Sequence, residues 1–196
     1  MSDYDFTIVD VFADGPFAGN QLAVFTSALG LSDDQMQSAA SEMHYSETTF
    51  LLPPESPDMD LRIRIFTPYT ELPFAGHPLV GSGFVAAAKR VVPCDPGVLR
   101  FGTGVGVIEV RPEVNGNREG GAVMRQPMPR IVAEYTDASD VAAIASDIGI
   151  DPQRIAAGRS PVAVLDNGLP MMVIPLDGIA AVAELDPAPA DLTRIA

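Results

Sequence analysis

Residues 61–83, LRIRIFTPYTELPFAGHPLVGSG, change periodicity partway along. Leu61, Ile63 and Ile65 alternate with Arg62 and Arg64, the period of a strand with one buried face and one solvated face. Past the turn residues that follow, Gly76 permits a tight backbone and Pro78 suits the first turn of a helix. That helix is predicted from Leu79 to about Val92, ended by Pro93. The free N–H groups at such a helix start form an anion site for a carboxylate or phosphate, and His77 stands at its mouth. The same spacing also fits a turn that merely contains a histidine.

Upstream, FTIVDVFA and QLAVFTSA (6–13 and 21–28) read as strands joined through a Gly- and Pro-containing loop. LSDDQMQSAASEMH (31–44) reads as a helix capped by Ser32 with Gln35, placing Met36, Ala39, Ala40 and Met43 on one face. SETTFLL (46–52) follows as a strand, and Glu47 stands at the helix-to-strand junction between Ser46 and Thr48. A carboxylate there exchanges protons with a carbon or oxygen acid if burial brings its pKa toward working pH. An ordinary exposed glutamate at a strand end is the other reading.

Downstream, VLRFGTGVGVIEVRPEV (98–114) reads as two strands around Gly102, Gly104 and Gly106. Those glycines lack the spacing and the following helix of a dinucleotide fingerprint. NGNREGG (115–121) is a turn, and QPMPR (126–130) suits a crossover between lobes. TDASDVAAIASDIGI (136–150) is predicted as a helix stopped at Gly149, and PVAVLDNGLPMMVIPL (161–176) as two strands around Asn167 and Gly168. A short helix follows in IAAVAELDPAPADLTRIA (179–196). The expected division is 1–126 for a first lobe and 127–196 for a partial second one. Met124, Met128, Met171 and Met172 are expected to fill core.

The 196 residues are 47% hydrophobic, enough for a substantial core and against a disordered chain. A formal charge of −14 disfavours nucleic acid and anionic membranes, both of which need clustered Lys and Arg. No apolar run approaches the ~18 residues of a membrane span, and the acidic start does not read as a secretory signal, so a cytoplasmic protein is expected. The lone Cys94 has no partner for an internal disulfide and no metal-ligand spacing around it.

Three motifs in order, DVFADGPFAGNQLAVF, EMHYSETTFLLPP and LRIRIFTPYTELPFAGHPLVGSG, closely resemble the PhzF family of phenazine-biosynthesis isomerases. Agreement continues more weakly through GVIEV, MRQPMP and DNGLPMMVIPL. The resemblance implies an α+β fold of the diaminopimelate epimerase type, with two pseudo-symmetric lobes, each a sheet wrapped round a central helix, and an active site between them. It implies that Glu47 shuttles a proton and is catalytic together with His77. It also implies that Ser46, Gly76 and His77 bind the substrate. The implied reaction moves a proton and a double bond in a small cyclic, anionic carboxylic acid, with no metal and no organic cofactor.

Related epimerases and racemases use two cysteines as acid and base. Here the matching position is Glu47 and Cys94 lies in another motif, so that mechanism is not expected. Complete family members also carry, late in the second lobe, a segment resembling EDPATGSA, which supplies an assisting aspartate and a second helix N-terminus. This sequence contains none. The second lobe is therefore expected to be incomplete, with a homodimer or a second chain completing it. A non-catalytic ligand-binding or assembly subunit, or an inactive shortened family member, is the alternative.

Overall fold

The computed structural model describes residues 3–15, 17–93, 97–115, 119–156 and 160–187, so Cys94, the middle of the 115–121 turn and the last nine residues lie outside it. The chain divides into two units, Met1–Gln126 and Pro127–Ala196.

The first unit is a mixed sheet in the order β1-β2-β3-β4-β6-β7-β8, with short β5 on the side of β4. β1 (Phe6–Val11) and β2 (Asn20–Phe25) are antiparallel. The chain then crosses through helix α1 (Asp33–Met43) to β3 (Glu47–Leu52), which runs parallel to β2. β4 (Leu61–Phe66) and β5 (Glu71–Leu72) precede helix α2 (Gly76–Ala88). β6 (Leu99–Thr103), β7 (Gly106–Val114) and β8 (Gly120–Met124) form the far side of the sheet.

Small residues let α2 sit deep against this sheet. A Cβ on Gly81 would lie 2.7 Å from both Leu22 and Val11, and one on Gly83 would lie 2.5 Å from Val110 Cγ1. Strands from both ends of the sheet order thus reach the same helix, which means the sheet curls round it. Thr49 Oγ1 and Ser82 Oγ, both buried, share a 2.8 Å hydrogen bond that fixes α2 along β3.

Gly83→Ala is expected to lower stability by about 1–2 kcal/mol, because overpacking against Val110 outweighs the roughly 1 kcal/mol gained by replacing a helical glycine. In urea denaturation, the Gly83→Ala/Val110→Ala double variant should be less destabilised than the sum of the single variants. Simple additivity would mean that Val110 is not what excludes the extra methyl.

On the sheet's outer face α1 buries Met36 and Ala40 against Phe25, Phe50 and Phe66. Its start carries the expected reciprocal cap: Gln35 N–H donates to Ser32 Oγ at 3.2 Å, and Ser32 N–H donates to Gln35 Oε1 at 2.9 Å.

Several expectations need correction. Helix α2 begins at Gly76, not Leu79, since Pro78 is tolerated in a first turn where its missing N–H has no partner to lose. It ends at Ala88, four residues early, where Arg90 turns into the left-handed region at φ 56. The Arg64 side chain is only 17% exposed and pairs with Glu71 and Asp33, so that strand face is covered by an ion cluster, not by water. Strands β8 and, in the second unit, β9 (Arg130–Tyr135) are additions that the sequence reading did not make.

The second unit is an antiparallel sheet in the order β11-β10-β9, with β10 (Val162–Asp166) central and β11 (Pro170–Val173) at one edge. Helix α3 (Ala138–Asp147) buries Ile144 and Ala145 against Val162 on one face, with Tyr135 and Met172 packed beside them. Gly149, at φ +67, ends that segment, and a Cβ there would meet the Asp186 carbonyl oxygen. A 3-10 turn (Pro152–Arg154) and a short helix α4 (Ile179–Ala183) close the unit, with Arg154 bonded to Asp177 at 3.1 Å and Glu184 at 3.2 Å.

The register puts Leu165 opposite both Ile131 and Met171, and Ala163 opposite Val173. Ile131, Met171 and Val173 are exposed on this second face, beside the buried Ala163 and the exposed Glu134 that lies opposite it. Of the four methionines expected in core, Met124 and Met172 pack against it, whereas Met171 faces outward and Met128, in the crossover, is exposed.

Candidate active site

The parallel pairing of β2 with β3, Leu22 opposite Glu47, brings the starts of these strands to one end of the first unit's sheet. Asn20 opens β2, and Ser46 and Glu47 mark the start of β3. The preceding helix hands the chain over through His44, its C-cap, in a left-handed conformation at φ 58. At the same end lies the N-terminus of α2, held there by Thr49 and Ser82. Its cap residue, Ala75, has no side chain to satisfy the first-turn N–H groups. A Cβ on Gly76 would meet only Met124 Cε, at 3.8 Å, so that position has room beside it.

His77 Nε2 lies 3.2 Å from Glu47 Oε2, and the two side chains are 11% and 16% exposed. The approach does not satisfy hydrogen-bond angles, and both atoms are buried without a hydrogen-bond partner. Distance alone would make this an ion pair, but burial pushes each group toward its neutral form. It raises the Glu47 carboxyl above 4.5 and lowers the His77 imidazole below 6.5, with a hydrogen bond to the Gln21 main chain opposing the latter. For Glu47 no hydrogen bond offsets the lost hydration, and for His77 burial outweighs the Gln21 bond. A carboxyl that keeps its proton above the usual range is suited to both taking and returning one.

Ser46 Oγ donates to Asn20 Oδ1 at 2.7 Å, and the Asn20 amide nitrogen lies 3.4 Å from His77 Nδ1. The sequence-derived candidates Ser46, Glu47, Gly76 and His77 are therefore clustered around one strand end and one helix start. Asn20 was missed. Its place in AGNQLAVF reads as a turn residue before a strand, and only the pairing of β2 with β3 puts it next to His77. Phe74, two residues before α2, is 3% exposed and belongs to the main core. Among the described residues no three His, Cys, Asp or Glu side chains gather as a metal site, and no helix is long and apolar enough to cross a membrane.

Comparison with known proteins gives a consistent result. The family described as "Phenazine biosynthesis-like protein" matches residues 9–195. The trans-2,3-dihydro-3-hydroxyanthranilate isomerase of Pseudomonas aeruginosa is 35% identical over 182 residues, covering 93% of this chain and 60% of that protein. The isomerase of the same name from Pseudomonas chlororaphis is 36% identical over 184 residues, covering 94% and 61%. This chain thus spans about three fifths of the length of these curated relatives.

Among solved structures, a predicted epimerase from Pseudomonas aeruginosa superposes with a TM-score of 0.81 at 30% identity, covering 99% of this chain and 66% of that one. A hydroxyproline epimerase from Agrobacterium vitis, at 11% identity and a TM-score of 0.57, shares the fold. The α+β fold is accordingly of the diaminopimelate epimerase type, with the match covering part of the neighbours' length. With the motif stretches on adjoining elements and the match running through nearly all of the sequence, this chain belongs to the PhzF family of phenazine biosynthesis-like proteins.

Proposed function

We propose that this chain carries the proton-transferring half of a PhzF-type isomerase. The reading rests on the buried, hydrogen-bond-free approach of Glu47 to His77 beside the start of α2, which no side chain caps. The free N–H groups of that helix, at Gly76 and His77, hold the carboxylate of a small cyclic acid, and Ser46 lines the pocket. Glu47, as carboxylate, takes a proton from a ring carbon. The electron pair left behind shifts the double bond, and the resulting Glu47 carboxylic acid returns the proton to another carbon. Proton and electrons balance within the substrate, so the step calls for no metal or organic cofactor. The relatives' named substrate, trans-2,3-dihydro-3-hydroxyanthranilate, is the first compound to test, in a cytoplasmic, secondary-metabolic setting.

Residues 1–126 act in this reading as a first epimerase-like lobe and 127–196 as part of a second. The exposed Ile131, Met171 and Val173 of the β9–β11 sheet support cover by further polypeptide, with a second copy or a different chain as candidates, because apolar side chains exposed to water favour association. Incubating the protein with the named substrate in D2O, alongside native mass spectrometry, tests both parts. Isomerised product carrying solvent deuterium, formed by an assembly larger than one chain, is the expected result. Substrate bound but unchanged in every assembly would move the assignment to a ligand-binding subunit.

A further inference from the structure

One polar contact of His77 is not used by the chemistry above. An amide nitrogen can only donate, so the 3.4 Å approach of Asn20 Nδ2 to His77 Nδ1 is favourable only if that ring nitrogen carries a lone pair. Burial keeps the ring uncharged, and an uncharged ring with a bare Nδ1 has its proton on Nε2. Nε2 is the atom 3.2 Å from Glu47 Oε2. The amide is tethered from its other side, since Asn20 Oδ1 accepts the Ser46 hydroxyl at 2.7 Å.

We propose that Asn20 is a positioning residue: anchored by Ser46, its amide N–H holds His77 in the tautomer that carries its proton on Nε2, the ring nitrogen 3.2 Å from Glu47 Oε2. The consequence concerns the direction of proton flow. A proton on Nε2, 3.2 Å from Oε2, places positive ring density beside the carboxyl group and favours the carboxylate, ready to accept a proton. The opposite tautomer offers a lone pair that favours the protonated carboxyl. The Ser46–Asn20–His77 chain therefore biases the pair toward its proton-accepting form before substrate arrives. A residue at the exposed start of β2, remote from Glu47 in sequence, sets which form waits. The inference rests on the reading of Glu47 and His77 as the proton-transfer pair.

The ring itself reports the outcome. The chain has two histidines, His44 and His77, so long-range 15N–1H correlation spectra contain two imidazole patterns, assigned by a His44→Asn variant. Asparagine tolerates the left-handed backbone of that position. At about pH 8, above the ordinary histidine pKa of about 6.5, wild-type His77 should show an unprotonated Nδ1 and a protonated Nε2.

Asn20→Ala should shift both nitrogens toward averaged values, since the Gln21 main chain then remains as an acceptor without the competing amide donor. Asn20→Asp, nearly isosteric, puts an acceptor where the donor was and should reverse the pattern, moving the proton to Nδ1. Unchanged His44 signals verify that the fold is intact. A protonated Nδ1 in the wild type, or an Asn20→Ala pattern identical to wild type, overturns the proposal. This readout does not depend on turnover. The expected tautomer in a protein that fails to isomerise its substrate would defeat the isomerase reading alone. An active protein whose tautomer ignores Asn20 would defeat this inference alone.

Discussion

Glu47→Gln should lower isomerase turnover by about 10²–10⁴-fold, the usual worth of a positioned acid–base group, while substrate binding stays near wild type. Gln keeps the size and polarity of Glu but has no proton to take and return at working pH. A variant as fast as wild type would remove Glu47 from the chemistry.

Stability should move the other way. The folded-state pKa of Glu47 lies above its unfolded value near 4.5, so between the two the folded protein holds more protons and stability falls as pH rises. Above the folded value the full cost of a buried carboxylate is present, and below about 4.5 it is gone. The Gln variant should therefore be more stable than wild type at neutral and alkaline pH, with the gain fading on acidification through that window. His77, whose folded pKa lies below 6.5, adds a cost in both proteins as pH falls through 6.5 toward that lowered value. Denaturant midpoints across pH measure the two effects separately. A gain that grew on acidification would contradict the assigned burial of Glu47.

Phe101→Ala should cost about 3–5 kcal/mol, the range for removing a large aromatic ring from a packed core. Phe101 has no exposed surface and sits in the main core cluster with Leu61, Ile108 and Val110. It pairs across to Leu61 on β4 and Ile108 on β7, so its ring fills space where three strands meet α2. Typical domains have total stabilities of about 5–15 kcal/mol, so this single change consumes a large share of the margin. The chain has no tryptophan, which makes far-UV circular dichroism in urea the suitable probe. A lower midpoint with an unchanged slope is expected. A loss under about 1 kcal/mol would mean that this core refills the cavity or was loosely packed there.

Legibility in the sequence followed the range of the forces involved. The Ser32–Gln35 cap, the alternation along β4 and the β6–β7 hairpin are local arrangements, and each was read at or near its true place. The β8 strand opens on Gly120 and Gly121, which carry no strand preference, and becomes a strand because β7 offers it hydrogen bonds. Arg62 and Arg64 alternate like solvated residues, but acidic side chains brought from α1 and β5 cover Arg64. The early start of α2 was obscured by Gly76 and Pro78, both poor helix formers in isolation and both acceptable in a first turn.

The sequence by itself determined the family, through three ordered motifs, and named Glu47, Ser46, Gly76 and His77 as candidates, because residue identity and order are properties of the chain. The tertiary structure alone decided that Glu47 and His77 meet, since that contact depends on β3 lying parallel to β2 and on α2 being held along β3. It also decided the direction in which each pKa moves. A side chain's pKa is set by how much water the surrounding fold leaves it, and neither burial nor the Asn20 contact is written in any local pattern of residues.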